Sequence, residues 1–180
     1  LPGDVYADYW LRGIRLDLAF EDAKARYAFY LALEVGLDML FDRTSPWVES
    51  MQEKGLINDG FDYDLTLYPE VALVILSAQT PDDSSTEKAF NRLLNAPEEL
   101  LIPERFETQK KANIGAFIYG LDSLEGTVRN RSRYVNDGLT HYDLLDMQMA
   151  LTLADVTHAL STMKQSMLAL DVVLTPRKNV

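Results

Sequence analysis

The chain has 180 residues, 47% of them hydrophobic, with 17 Lys and Arg against 28 Asp and Glu and a formal net charge of −11. That composition supports a folded chain with a real core and excludes disorder. The acidity argues against nucleic acid and anionic membranes, which need Lys and Arg, and the lack of cysteine excludes disulfides, cysteine catalysis and thiolate metal sites.

The start, "LPGDVYADYW", has no Met and no signal pattern. The length is expected of a single α+β domain, residues 1–180, and the start at Leu1 of a piece of a longer multidomain protein or of a chain left by tag cleavage. Trp10 to Phe20, "WLRGIRLDLAF", sets Leu11, Gly13 or Ile14, Leu16, Leu18 and Phe20 against Arg12, Arg15 and Asp17. The register shifts near Gly13, and the second half predicts a half-buried strand. "EDAKARYAFYLALEVGLDMLF" predicts a long, mostly buried helix, with Glu21 and Asp22 in its first turn, where acidic groups suit the dipole.

Ser45-Pro46 is a helix start, with Ser as cap and Pro at the first helical position, and "PWVESMQEK" ends at Gly55. Trp47 and Met51, one turn apart, either face a neighbouring surface or belong to this domain's own core. "FDYDLTLY" alternates strictly, Phe61, Tyr63, Leu65 and Leu67 against Asp62, Asp64, Thr66 and Tyr68. After a turn at Pro69-Glu70, "VALVILSAQT" is apolar on both faces, which predicts a central strand paired antiparallel with its predecessor. This run is too short to span a bilayer.

The remainder predicts helices. One starts near Ser84 or Ser85, points Ala89, Phe90, Leu93 and Leu94 inward and stops at Pro97. A long helix or helix pair starts at Pro103, with Phe106, Lys110, Asn113, Phe117 and Leu121 on neighbouring turns. "THYDLLDMQMALT" and "TLADVTHALSTM" are two more, the second capped by Thr152 with Asp155 in a capping-box-like pattern. "SMLALDVVLTP" closes as a strand that Pro176 ends. The order predicts an α+β two-layer sandwich, an antiparallel-rich mixed sheet with helices on one face.

Chemistry is sparse. His141 and His158 lack the H-E-x-x-H or H-x-x-E-H spacing of a zinc peptidase helix and read as ordinary surface or half-buried histidines. The acidic pairs Asp62/Asp64, Asp82/Asp83, Glu98/Glu99 and Asp143/Asp146 close no oxygen cage. Asp62 and Asp64 read as an exposed strand face, and "DDSS" as a helix cap. "RNRSRY" is the one basic cluster, yet helical spacing splits Arg131 from Arg129 and Arg133, so it reads as a solvated face. No G-x-S-x-G and no phosphate loop occurs. No catalytic, cofactor-binding or metal-binding residue is expected in this chain.

"VGLDMLFDRTSPWVESMQEKGLINDGFDYDLTLYPEVALVILSAQT" closely resembles a segment of the pitrilysin/insulinase-type zinc metallopeptidases. "ERFETQKKANIGAFIYGLDSLEGTVRNRSRY", "LTLADVTHALSTM" and "LALDVVLTP" resemble later parts of that family, in order, from about Trp10 to Pro176. The nearest subgroup looks like bacterial peptidase-like proteins linked to modification of elongation factor P. The resemblance implies paired homologous α+β domains, two halves around a peptide chamber, and zinc in the catalytic domain on H-x-x-E-H. This chain matches the second, non-catalytic type of domain. Where a domain opposite the zinc carries an Arg and a Tyr, this chain has Met51 and Asn58. The implied partners are adjoining peptidase domains of the same parent or a homologous subunit, with peptide substrate reached through the parent. The implied role is to shape the chamber and support the catalytic domain, in the cytoplasm. The alternative is a domain of an inactive homologue acting as a binding or assembly subunit.

Overall fold

The computed structural model describes residues 8–125, 127–128, 134–166 and 168–174. The elements run β1 (Asp8–Asp17), α1 (Ala23–Phe41), α2 (Pro46–Glu53), β2 (Asp62–Leu67), β3 (Val71–Thr80), α3 (Asp83–Asn95), α4 (Pro103–Leu121), α5 (His141–Ala150), α6 (Leu153–Ser166) and β4 (Leu168–Leu174). Short 3₁₀ turns occupy Pro97–Glu99 and Val135–Asp137. The class is α+β. The chain divides into two compact units, 1–18 with 40–99 and 163–180, and 19–39 with 100–162.

The first unit is built on a sheet of order β2-β3-β1-β4. Every pairing is antiparallel, so among the described residues the sheet is not mixed. β1 pairs with β3 residue for residue, from Asp8 opposite Thr80 to Asp17 opposite Val71. The expected register shift at Gly13 is therefore absent. The pattern breaks at Arg12 for another reason: Arg12 shares the inner face with Trp10, Ile14 and Leu16, and is 2% exposed. β3 is central, as its composition predicts, but the described residues cover only one of its apolar faces. Ala72, Val74, Leu76 and Ala78 are buried, while Ile75 on the other face is 43% exposed.

Phe90 of α3 lies over that inner face. Its ring stacks on Trp10 at 4.6 Å and meets Trp47 at 4.6 Å, Phe61 at 5.6 Å and Phe41 at 5.7 Å. Such ring clusters bury much apolar area in geometries that suit the aromatic quadrupole. α2 enters this cluster because Ser45 caps it, accepting from Trp47 N, with Pro46 at its first position. It stops where Gly55 takes φ +66°, a left-handed turn that glycine adopts at no steric cost. Met51 is 2% exposed and belongs to the unit's own core, and Trp47 is half-buried with its ring against Phe90.

The second unit is helical. Asp22 accepts from Ala25 N at 2.8 Å and caps α1, which leaves Glu21 before the helix rather than in its first turn. Gly36 lets α1 meet α6 closely: a Cβ there would stand 2.9 Å from Leu160 Cγ. From α4, Arg105 donates to the Met39 carbonyl, Asn113 to Asp38, and Lys110 to the carbonyls of Met149 and Leu151. The Lys110 bonds neutralise orphan acceptors at the negative end of α5. The Arg129/Arg131/Arg133 cluster, Gly126 and the strand stop at Pro176 lie outside the described residues.

Candidate functional site

The two histidines stand apart. The Tyr134 hydroxyl hydrogen-bonds His141 Nδ1, while His158 stands exposed on α6. Among the described residues no group of three His, Asp or Glu is placed to hold a metal ion. Asp62 and Asp64 are exposed on a strand face, and Asp64 accepts from the Thr66 hydroxyl at 2.9 Å. Met51 is buried and carries no donor, while the exposed Asn58 accepts from Gly60 N and donates to Gln79.

Several acids serve as caps. Asp82 accepts from Ser85 N and Ser85 Oγ, which holds its carboxyl below the usual range. Asp143 and Thr140 form a reciprocal capping box on α5, and Thr140 with Lys24 lowers the Asp143 pKa to about 2. Asp155 does the same with Thr152 on α6, and its carboxyl is lowered chiefly by the Thr152 hydroxyl. Hydrogen bonds to the ionised form explain all three shifts.

Sequence reasoning missed the most deeply buried charge. Arg12 reaches Asp171 with Nε at 2.7 Å and Nη2 at 2.8 Å, and Asn91 with Nη1 at 2.5 Å. Glu87 lies 3.5 Å away, and the guanidinium sits 5.4 Å from the Trp10 ring centre. The fork holds the edge strand β4 and helix α3 to β1 through charge-assisted bonds. The signal was the parity of Arg12 with Trp10 and Ile14, together with the lone Asp in "LALDVVL".

The other face of the sheet is the surface most suited to a partner. Pairing puts Leu11, Leu73, Ile75, Leu170, Val172 and Leu174 on it together. Leu170 is 69% exposed and Leu174 55%. Contiguous exposed apolar residues on a sheet mark an interaction surface. Arg15, Asp17, Asp62 and Asp64 supply a polar margin on the same face. No helix among the described residues is long and apolar enough to cross a membrane.

No protein-family model matches the chain. The curated relative is an uncharacterized zinc protease, YmfH, of Bacillus subtilis (strain 168), 26% identical over 150 residues. The match covers 83% of this chain, which spans about a third of that relative, 35% of its length. Among solved structures, a protein named as an M16-like peptidase from Alicyclobacillus acidocaldarius aligns with TM-score 0.76 and 22% identity, over 92% of this chain and 40% of its own. A domain named as the inactive peptidase domain of a zinc protease from Bordetella parapertussis aligns with TM-score 0.75 and 15% identity, over 95% of this chain and 94% of its own. The names of these relatives give no support to a link with elongation factor P. By fold the chain matches these peptidase domains, and its sequence is similar to that of a zinc protease.

Proposed function

We propose that this chain is a non-catalytic domain of a zinc metallopeptidase, which shapes the peptide chamber and supports the catalytic domain of its parent. The observation that carries this reading is the pairing of a peptidase-domain fold over nearly the whole chain with the lack of a metal-holding group among the described residues. Zinc is assigned to the catalytic domain of the parent, where it supplies Lewis-acid activation of water. The single α+β domain, residues 1–180, is read as one part of a longer multidomain protein, in keeping with its third of the relative's length. The adjoining peptidase domain is assigned to the uncovered sheet face around Ile75 and Leu170. A cytoplasmic setting is part of this reading.

The test is metal content and peptide cleavage, measured on the purified chain and on the whole parent. The chain alone is expected to hold no stoichiometric zinc and to leave peptides intact. Stoichiometric zinc with cleavage by the chain alone overturns the reading. A second reading, a binding or assembly subunit of an inactive homologue, is favoured by the name of the Bordetella parapertussis domain. A parent that binds no zinc and cleaves nothing decides for that alternative.

A further inference from the structure

The helical unit contains a cavity of about 380 Å³ that none of the roles above uses. Its floor is made of small side chains, Ala28 and Ala32 on α1 and Ala150 at the end of α5. Phe20 and Phe29 form one wall, their rings 5.3 Å apart and tilted by 48°. Asp155 and His158, one turn apart on α6, supply its polar groups. Ala28, Ala150, Asp155 and His158 are all exposed, so the cavity opens to solvent rather than being sealed. Size, apolar lining and a few convergent polar groups are the ordinary marks of a binding pocket.

The carboxylate selects the ligand. Asp155 Oδ2 accepts from Thr152 N at 2.9 Å and from Thr152 Oγ1 at 2.6 Å, while Oδ1 has no hydrogen-bond partner among the described residues. One oxygen is thus held in place by the cap and the other remains available. The Thr152 bonds favour its ionised form. The net charge of −11 adds a long-range pull on cations. An aromatic wall beside a fixed anion suits a ring that carries a positive charge next to it.

We propose that this cavity binds a peptide segment in which a Phe or Tyr side chain stands beside a Lys or Arg, the ring between the alanines and the Phe20–Phe29 wall and the cation on Asp155 Oδ1. The site rests on the cavity and its carboxylate, and not on the peptidase reading, so either can fail without the other.

The test is a methyl NMR titration of the protein with a capped Phe-Lys dipeptide, against capped Phe-Glu and free phenethylamine. Saturable shifts are expected at the Ala28, Ala32 and Ala150 methyls with Phe-Lys and not with Phe-Glu. Asp155→Asn is expected to weaken Phe-Lys binding by about fivefold, the upper range for a solvent-exposed ion pair. Ala28→Leu fills the cavity from an exposed helix position without touching the α6 cap, and is expected to abolish the shifts. No saturable shift with Phe-Lys, equal binding of Phe-Glu, or binding that survives Ala28→Leu overturns the site. Binding of phenethylamine without Phe-Lys overturns the peptide assignment and leaves a small-amine pocket.

Discussion

Arg12 puts a charge on an otherwise apolar sheet face, and its bonds to Asp171 and Asn91 offset the desolvation that burial imposes. Arg12→Ala strips those bonds and leaves Asp171 facing an emptied, half-dry site. A loss of about 3 kcal/mol is expected in urea unfolding, the low end for breaking a buried pair, because Asp171 keeps some contact with water. Arg12→Met retains the packing and is expected to lose less. The side on which Arg12 falls could not be read locally, since its main partner lies 159 residues away. Asp143 offers a second residue-scale check. Its folded pKa is depressed to about 2, first by the Thr140 hydroxyl, so its contribution is present above the unfolded value near pH 4 and fades as pH falls toward 2. Carboxyl NMR titration is expected to show that low pKa, and Thr140→Val to raise it.

At the scale of elements, caps and turns were the legible part. Ser45-Pro46 announced α2 and Thr152 announced α6, because capping is written in three or four adjacent residues. Thr140-His141-Tyr142-Asp143 carries the same signature and forms the same reciprocal box on α5. Close packing was not legible, since a glycine inside "LEVGLDML" states neither what approaches it nor from where. The neighbour is Leu160 of α6, itself buried. Helix propensity alone favours Gly36→Ala by about 1 kcal/mol. The 2.9 Å approach to Leu160 Cγ opposes it, and overpacking of a tight core costs about 1–3 kcal/mol. A net destabilisation of about 1 kcal/mol is therefore expected from thermal unfolding. In a Leu160→Ala background the same substitution is expected to turn neutral or stabilising, because the opposing side chain is gone. Equal effects in the two backgrounds would mean that the helices do not meet through Gly36.

At the scale of the molecule, the apolar composition of β3 carried more information than the strand's own burial uses. "VALVILSAQT" reads as a strand covered on both faces, and the described residues cover one. The mismatch is explained if the second cover comes from another domain, which a chain spanning 35% of its relative's length leaves room for. Such a cover would exclude water from Ile75, Leu170 and Val172, and at about 25 cal/mol per Å² even a few hundred Å² is worth several kcal/mol before the cost of docking. Ile75→Glu combined with Leu170→Glu separates the possibilities. In the chain alone Leu170 faces water and its change is expected to stay within about 0.5 kcal/mol, while Ile75→Glu stands opposite Asp64 and is expected to cost about 1 kcal/mol. If an adjoining domain covers this face in the whole parent, the same pair would bury two carboxylates against an apolar surface, where unpaired charge is expensive. Lowered thermal stability and faster proteolysis between domains are the expected results there. A parent as stable with both glutamates as without them would mean that the face stays open to water, and the partner would have to be sought on another surface.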